Sequence, residues 1–314
     1  FVVTLTGLVE KKIEKKKNEK HICASAKITE KEAKNSLTGN LCRCTGYQPI
    51  LNAATSIDLE LCSSLKDRYY TPAQKRELQK SKREGIRIHH SIRRDDFSYF
   101  APTSIKAAVE YLAKHKEARL VGAGTDLGVL VNKNKITLDH ILSLHLIDEL
   151  YEIKKINKNR LRVGANANLT ELRQACKEVL PELAQILNIF ASPQIKNMAT
   201  LAGNVANASP IGDTLPFLLV SGATVHIAGK IPRQVKIEEF YLDYKKTALR
   251  KGEFISAIDF DIPEKSENLA LYKNSQRQDL DISCLNSAFR LKWKNKDRRQ
   301  IQDIQIAYGG VGPT

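Results

Sequence analysis

The sequence predicts an α+β protein with more than one domain. Short apolar stretches typical of strands lie at 119–121, 137–138, 161–163 and 224–227, and helical periodicity lies near 170–179 and 182–190. These elements do not alternate strictly, which argues against a doubly wound Rossmann sheet. The first 65 residues show only helical patterns. A chain of 314 residues has room for two or three domains.

Residues 1–65 are expected to form a helical domain. Apolar residues recur at helical spacing at the start of the chain, at Val2, Leu5, Leu8 and Val9. A second helix is predicted to start from a cap at 29–32 and to end at Gly39 and Asn40. A third apolar helical stretch begins at Pro49 and runs to Leu61.

A basic stretch at 66–95 has no sustained apolar periodicity, and it is interpreted as a linker between domains. His89 and His90 lie inside it. The sequence implies no carboxylate or cysteine partner for them, so they are interpreted as exposed linker histidines rather than a metal or acid/base site.

The chain carries a formal charge of +15, with 50 Lys and Arg against 35 Asp and Glu. Such a charge is compatible with a nucleic-acid or acidic membrane partner. The basic runs contain almost no aromatic residues and no recognised nucleic-acid motif, so solvated helix faces and linker are expected, with no nucleic-acid partner. No run reaches the ~20 apolar residues of a membrane span. Six cysteines without regular disulfide spacing fit a reducing cytoplasm.

A glycine-containing loop follows the strand predicted at 119–121. The segment GAGTDLG occupies 122–128, and free backbone N–H groups in such a loop can hold a pyrophosphate. The dinucleotide fingerprint G-x-G-x-x-G would need glycine where Leu127 stands, and no G-K-[ST] follows for a P-loop. Upstream, Pro102-Thr103-Ser104 is expected to cap a helix whose apolar face begins at Ile105. The loop therefore predicts a phosphate-containing ligand on a different fold.

A second stretch of small residues, ATLAGNVANASPIGD, occupies 199–213. Small side chains allow a backbone to lie against a ligand, and Asn204 and Asn207 add short polar groups. Asp213 ends the stretch with a carboxylate that can accept from hydroxyl donors. A surface loop of turn-forming residues remains the alternative.

Four motifs in the same order carry a resemblance to a known family. They are AGTDLG at 123–128, IKNMATLAGNVANASPIGDTLP at 195–216, YKNSQRQDLDIS at 272–283 and AYGGVGPT at 307–314. Together they resemble the FAD-binding subunit of molybdenum hydroxylases, and the order and spacing are most similar to the xanthine dehydrogenase type. The resemblance covers most of 96–314, and LCRCTGYQPI at 41–50 extends it toward the amino end.

The resemblance implies a two-subdomain FAD-binding domain at 96–265, followed at 266–314 by the start of a C-terminal α+β domain. The backbone amides implied to hold the FAD pyrophosphate and ribityl chain are those of Val121, Gly122, Ala123, Gly124, Thr125, Asp126, Leu127 and Gly128. The residues implied to line the other side of the groove are Thr200, Gly203, Asn204 and Asn207, with Asp213 accepting from hydroxyls.

Three further residues match family positions near the flavin ring. Phe190 corresponds to an aromatic residue that lies over the isoalloxazine, although a core phenylalanine at a helix end is an equal alternative. Lys273 and Arg277 correspond to basic residues whose positive charge could stabilise a reduced ring. Solvated surface charges are the alternative for both.

The resemblance also extends to a helical 2Fe-2S domain, of which Cys42 and Cys44 form half a site. A lone C-x-C is often just two small buried residues. A cluster needs four thiolates, and the family supplies the other pair from a C-x-x-C ahead of Phe1. Cys23 and Cys62 are not at family positions. The chain is therefore expected to be a fragment truncated at both ends, and the cluster is expected only in a full-length chain.

By resemblance, the expected function is electron transfer from iron-sulfur clusters through FAD to NAD. Purine oxidation would belong to a separate large subunit with the molybdenum cofactor. The alternatives are the FAD subunit of another molybdenum hydroxylase, of the carbon monoxide dehydrogenase or hydroxybenzoyl-CoA reductase type, and a flavin-free basic binding protein.

Overall fold

A computed structural model describes residues 1–18, 27–92, 95–295 and 297–312. The chain divides into two compact units, Phe1–Gln79 and Lys80–Thr314. The first is helical and the second mixes helices with three sheets and a hairpin, which confirms the α+β prediction. Among the helices of the described residues, none combines the length and apolarity that a membrane crossing requires.

The first unit has a small core between short helices. Its helices are α1 (Val2–Asn18), α2 (Glu30–Leu37), α3 (Gln48–Thr55), α4 (Leu65–Tyr69) and the start of α5 (Pro72–Glu84). The predicted cap of α2 is confirmed, because Thr29 Oγ1 accepts from the Glu32 N–H at 3.2 Å and Glu32 Oε2 accepts from the Thr29 N–H at 2.9 Å. The fully or largely buried residues are Ile28, Ala33, Leu37, Leu51, Ala54 and Leu59.

Two apolar residues of the predicted helical faces lie outside this core. Leu5, Leu8 and Val9 pack against it, but Val2 in the first turn of α1 is 78% exposed. Leu61 is 87% exposed because α3 ends at Thr55, so its helical spacing does not continue that far. Periodicity therefore identified the inner face of α1 but not where each apolar face ends.

The basic stretch at 66–95, interpreted from the sequence as a linker between domains, contains regular secondary structure. The helix α5 has no buried residue, and a capping interaction is present at its start. Thr71 Oγ1 accepts from the Gln74 N–H at 3.2 Å, and Gln74 Oε1 accepts from the Thr71 N–H at 2.9 Å. Strand β1 (Ile86–Ile92) then pairs antiparallel with β2 (Asp95–Ala101). Backbone pairing of this kind leaves little trace in apolar periodicity.

The histidines of the same stretch lie on β1. Both are exposed, as expected, but His89 has a carboxylate partner that the sequence did not reveal. Its Nε2 lies 2.8 Å from Asp96 Oδ1 on the neighbouring strand β2. An antiparallel pairing of β1 with β2 brings the two side chains together.

The first sheet of the second unit has the order β1-β2-β4-β3, with β3 at Arg119–Val121 and β4 at His140–Ser143. Strands β2, β4 and β3 are parallel, so their carboxyl ends meet at one edge. Helix α6 (Ile105–Lys114) connects β2 to β3 and has the predicted cap, since Ser104 Oγ accepts from the Ala107 N–H at 3.2 Å. The strand expected at 137–138 is instead β4, whose pairing with β2 begins only at His140.

The second sheet is antiparallel, with the order β5-β6-β11-β7-β8. Its strands are β5 (Ile153–Asn157), β6 (Arg160–Gly164), β7 (Thr224–Ala228), β8 (Arg233–Lys236) and β11 (Phe254–Asp261). The strands predicted at 161–163 and 224–227 lie within β6 and β7. A hairpin is formed by β9 (Tyr241–Asp243) and β10 (Lys246–Thr247).

Several short helices connect the sheets. They are α7 (Leu127–Asn132), α8 (Leu169–Cys176), α9 (Pro181–Ile189), α10 (Pro193–Lys196), α11 (Leu201–Asn207), α12 (Leu215–Val220) and α13 (Ile237–Phe240), with a 3-10 turn at Asp148–Tyr151. The helices predicted near 170–179 and 182–190 correspond to α8 and α9. Leu169, Leu172, Leu183 and Leu187 of these two helices are fully buried in the core of the unit.

The third sheet contains β12 (Glu267–Asn274), β13 (Leu285–Trp293) and β14 (Ile301–Gly309) in chain order, all antiparallel. One face contributes Leu269, Ala288 and Ala307 to the core of the second unit. This sheet therefore shares its core with the part of the unit that contains the glycine loop.

Candidate functional site

The glycine loop begins where β3 ends, at the carboxyl edge of the parallel strands. Gly124 has φ +73°, a conformation that favours glycine. A Cβ at Gly122 or Gly128 would meet no atom within 4 Å. Within the described residues, the N–H groups of 122–126 donate to no protein acceptor. The loop thus presents a row of free donors to open space, which fits the pyrophosphate site predicted from the sequence.

The residues Val121, Ala123, Thr125 and Leu127 of this segment are half-buried, whereas Gly122 and Asp126 are exposed. The turn closes through a hydrogen bond from the Gly128 N–H to the Gly124 carbonyl at 2.8 Å. Helix α7 begins at Leu127. The predicted segment therefore runs from the last residue of β3 through the turn and into the first residues of α7.

The stretch at 199–213 is not the open loop that its composition suggested. Its first half contains α11, which is capped by Thr200, whose Oγ1 accepts from the Gly203 N–H at 3.0 Å. Ala208, with φ 48°, ends the helix in the left-handed region. The small residues favoured a loop in the sequence, but Leu201, Ala202 and Val205 are buried and hold the segment against the core as a helix.

The four predicted groove residues of this stretch lie on one face of α11. Thr200, Gly203, Asn204 and Asn207 follow the spacing i, i+3, i+4 and i+7. Gly203 is exposed, and both asparagines are half-buried. Asn204 Oδ1 accepts from the Thr214 hydroxyl at 2.6 Å, which fixes its orientation.

A hydrogen bond joins the two predicted sides of the groove. Asn207 Nδ2 on α11 donates to Asp126 Oδ1 of the glycine loop at 3.5 Å. The two residues are 81 positions apart in the chain. The structure therefore brings together two segments that the sequence could only propose as partners.

Asp213 and Lys273 form a buried ion pair. Lys273 Nζ lies 2.7 Å from Asp213 Oδ2, and the two side chains are only 2% and 7% exposed respectively. Ser283 Oγ also donates to Asp213, and Asn286 Nδ2 does so at 3.1 Å. The surface alternative for Lys273 is wrong. The predicted contacts of both residues with a flavin remain predictions, and the arrangement shows these two charges satisfying each other.

Arg277 lies on the surface, with its side chain 73% exposed. Its N–H donates to Asp281 Oδ2 at 2.9 Å, and its guanidinium lies 3.4 Å from Asp281 Oδ1. These hydrogen bonds, the backbone one first, lower the pKa of Asp281. The described geometry of Arg277 matches the solvated alternative.

Phe190 ends α9, and its half-buried ring packs against the core of the second unit. Its N–H donates to the Ile186 carbonyl at 2.9 Å. The next residue, Ala191, has φ 42°, which makes the turn after Phe190 unusual for a residue with a side chain. Its predicted position over a flavin ring stays a prediction.

Cys42 and Cys44 lie in the loop before α3. The Cys42 Sγ accepts from the N–H groups of Cys44 and Thr45, both at 3.4 Å. The Thr45 hydroxyl first, and then these backbone groups, lower the pKa of the Cys42 thiol to about 7. A thiolate is the form that binds metal, so the loop fits half of a four-thiolate site.

No group of three or more metal-ligating side chains occurs among the residues that the structure describes. Cys62 lies in the same unit, and its Sγ donates to the Asp58 carbonyl at 3.3 Å. Cys23 lies outside the described residues. The assignment of Cys42 and Cys44 as half of a cluster site therefore stays a prediction.

Sequence reasoning missed a charged cluster on the second sheet. Arg162 on β6 donates to both oxygens of Asp259 on β11, at 2.7 and 2.8 Å, and His226 on β7 lies 2.7 Å from Asp259 Oδ2. Burial acts to raise the pKa of Asp259, but the hydrogen bonds from Arg162 and His226 outweigh it and lower the pKa to about 2. The cross-strand register of Arg162 with Asp259 brings the charges together, and no motif predicts it.

A surface cavity of about 840 Å³ lies between α6 and the second sheet. Val109, Lys106, His226, Gln234 and Ser256 are among its lining residues. None of the site residues predicted from the sequence lines it. It is therefore separate from the glycine loop and α11.

Three family models match the chain. The FAD binding domain in molybdopterin dehydrogenase matches residues 95–264, the CO dehydrogenase flavoprotein C-terminal domain matches 270–314, and a 2Fe-2S binding domain matches 1–55. Their descriptions agree with the resemblance carried by the sequence motifs.

Similar proteins include xanthine dehydrogenase from Emericella nidulans, 25% identical over 91% of this chain and 25% of the relative. Aldehyde oxidase 1 from Bos taurus is 28% identical over 89% of this chain and 24% of the relative. The chain thus spans about a quarter of the length of the curated relatives it matches.

Among solved structures, reconstituted CO dehydrogenase from Oligotropha carboxidovorans has a TM-score of 0.64 and 26% identity, covering 72% of this chain and 77% of that one. The glycine loop after β3 and helix α11 both lie within the residues that the FAD domain model matches. The chain belongs to the molybdenum hydroxylase family and contains its FAD-binding domain, preceded by a 2Fe-2S binding domain.

Proposed function

We propose that the chain is the FAD-binding, electron-transfer part of a xanthine dehydrogenase-like molybdenum hydroxylase, an oxidoreductase. The observation that carries this proposal is the row of free N–H groups at 122–126 beside the polar face of α11. A pyrophosphate needs several donors directed at one place, and backbone amides supply them without adding positive charge.

Each part of the site has a proposed task. The loop amides bind the pyrophosphate, and Gly122 and Gly128 keep space free for it. On the opposite side, Thr200, Gly203 and Asn207 line the groove along one face of α11. Phe190 is proposed to cover one face of the ring. When bound, FAD can take up electrons one at a time and release two as a hydride, a chemistry that protein side chains lack.

Electron input is proposed from a 2Fe-2S cluster held partly by Cys42 and Cys44, and output to NAD. The substrate would be oxidised on a large partner subunit that carries the molybdenum cofactor. We also propose a cytoplasmic location for this chain. The similarity to xanthine dehydrogenase over both the 2Fe-2S and the FAD parts supports this assignment.

A second candidate is the FAD subunit of a carbon monoxide dehydrogenase-type enzyme. The observation that favours it is the TM-score of 0.64 with CO dehydrogenase from Oligotropha carboxidovorans. The presence of a 2Fe-2S domain on the same chain favours the xanthine type instead. The leading proposal names NAD as the electron acceptor, so reduction of bound FAD by NADH would support it over the second candidate.

The test measures binding of FAD to the purified chain by visible absorption and by quenching of flavin fluorescence. Gly122→Leu would place a side chain in the open space in front of the loop, because a Cβ there meets no atom within 4 Å. We expect about one FAD per wild-type chain and at least a roughly tenfold loss of affinity in the variant, about 1.4 kcal/mol.

Gly7→Leu is the matched control, since Gly7 in α1 also has no atom within 4 Å of a Cβ. It should bind FAD like the wild type. A colourless chain that takes up no added FAD would overturn the proposal. Steeply salt-dependent binding to nucleic acid by such a chain would favour a basic binding protein instead.

A further inference from the structure

Side-chain hydrogen bonds, in addition to backbone ones, hold the turn between α9 and α10. It contains Phe190 and then Ala191, whose left-handed φ of 42° costs about 1 kcal/mol or more for a residue with a Cβ. Such a conformation persists only where surrounding contacts enforce it. Ser192 caps α10 by accepting from the Ile195 N–H at 3.2 Å, but this bond acts only after the turn.

A buried lysine closes the turn from the α10 side. Lys196 is only 6% exposed, and its Nζ donates to the Asn188 carbonyl at 2.6 Å. Asn188 lies in the last turn of α9, whose terminal carbonyls have no partner within the helix. The lysine therefore ties the end of α9 to the end of α10 across Phe190.

A second cation holds the same asparagine from α8. Arg173 Nη1 donates to Asn188 Oδ1 at 2.7 Å, so Asn188 accepts from two cationic side chains. Burial first, and then the charge of Arg173, lower the pKa of Lys196 to about 8. Lys273 adds further repulsion, and Asp279 provides an attraction.

Placing the cationic side chains of Arg173 and Lys196 beside Asn188 costs free energy through desolvation and mutual repulsion. An uncharged cap would suffice to end a helix. The cost is understandable if the geometry of the turn matters more than its stability. The turn carries the only aromatic side chain that the family resemblance assigns to the flavin ring. A single residue, Ile189, lies between Asn188, which both cations contact, and Phe190.

We propose that Lys196, together with Arg173, is a positioning residue that fixes the end of α9 and the turn after it, so that the Phe190 ring is held at the FAD site. This inference rests on the proposed function. Lys196 itself acts through Phe190 and is not assigned a contact with the flavin.

The test compares FAD affinity and the visible circular dichroism of bound FAD in the full chain. Lys196→Met removes the ammonium but keeps an apolar stem of similar length, and Lys196→Gln keeps a neutral donor. We expect about tenfold weaker binding and a changed flavin dichroism band for Lys196→Met, with partial recovery for Lys196→Gln. Lys177→Met, at an exposed position after α8, is the control and should change neither signal.

A double-mutant cycle with Phe190→Ala separates positioning from stability. If Lys196 acts through Phe190, Lys196→Gln should weaken FAD binding in the wild-type background and have no further effect in the Phe190→Ala background. Equal losses in both backgrounds would overturn the inference and leave a helix cap only. Should Lys196→Met fail to fold, Lys196→Gln and Arg173→Gln carry the same comparison.

The outcome is distinguishable from failure of the proposed function. If the wild-type chain binds no FAD, the proposed function fails and the inference with it. If the wild type binds FAD and all Lys196 variants bind it equally, with an unchanged dichroism band, only the inference fails.

Discussion

The glycine loop and the surroundings of Asp213, both in the second unit, differ in whether protein groups satisfy their polar atoms. Both were predicted to face one ligand. The loop at 122–126 keeps its backbone donors free and its glycines in open space. Asp213 is instead enclosed by Lys273, Ser283 and Asn286 from the third sheet. Among the described residues, the N–H groups of this tight turn have no backbone acceptor within reach. Long charged side chains, in contrast, can form ion pairs between elements that are far apart in the chain.

The largest expected effect comes from breaking the enclosed pair. Asp213→Leu leaves the Lys273 ammonium buried without its carboxylate, and we expect a loss of about 3–5 kcal/mol in the free energy of unfolding by urea. The double variant Asp213→Leu with Lys273→Met should recover much of it, because no lone charge remains.

Asp243→Asn is the matched control for this pair. Asp243 lies 3.3 Å from Lys246, and both side chains are more than half exposed. Removing an exposed pair should change stability by less than ~1 kcal/mol. Similar losses for Asp213→Leu and Asp243→Asn would contradict the contrast between enclosed and open charges.

The second effect concerns the enclosed cluster on the second sheet. Asp259→Asn removes the negative charge and one of the two acceptor oxygens that Arg162 and His226 contact, and should cost about 1–3 kcal/mol at pH 7. The pKa of Asp259 is lowered from 3.8 to about 2, so its stabilisation is present at pH values above the ordinary pKa of 3.8 and is lost as pH falls through about 2. The stability difference between wild type and variant should therefore shrink on acidification. A constant difference from pH 7 to pH 2 would argue against this.

A smaller effect is expected at the cap of α11. Thr200→Ala removes the acceptor of the Gly203 N–H and should cost about 1 kcal/mol in unfolding free energy. Thr71→Ala removes the same kind of cap from α5, which has no buried residue, and should change global unfolding by less than ~0.5 kcal/mol. If both variants lose the same unfolding free energy, burial of one face of α11 does not make its cap more important for global stability than the cap of α5.

The smallest effect is expected where the loop meets α11. Asn207→Ala removes a 3.5 Å hydrogen bond to Asp126 at an exposed edge, and should change unfolding free energy by less than ~0.5 kcal/mol. Its effect should appear in FAD affinity instead, measured by flavin fluorescence. A loss of more than ~1 kcal/mol of stability would mean that this bond holds the two sides of the groove together.

The sequence by itself determined the local elements whose causes lie within a few residues. The caps at Thr29 and Ser104 were predicted, because a cap needs only a hydroxyl and nearby N–H groups. The turn after β3 was predicted for the same reason, since glycines specify it locally. The four motifs also identified the family, because each is a short continuous segment and the four occur in the family's order along the chain.

Tertiary structure alone decided which charges are free and which are enclosed. Lys273 and Asp213 are 60 positions apart, and Arg162 and Asp259 are 97 apart, so only sheet register and packing bring them together. The same holds for β1, which owes its existence to pairing with β2 rather than to apolar periodicity. Long-range contacts depend on how elements pack. The sequence shows which residues are charged, but it does not show which distant residue each one pairs with.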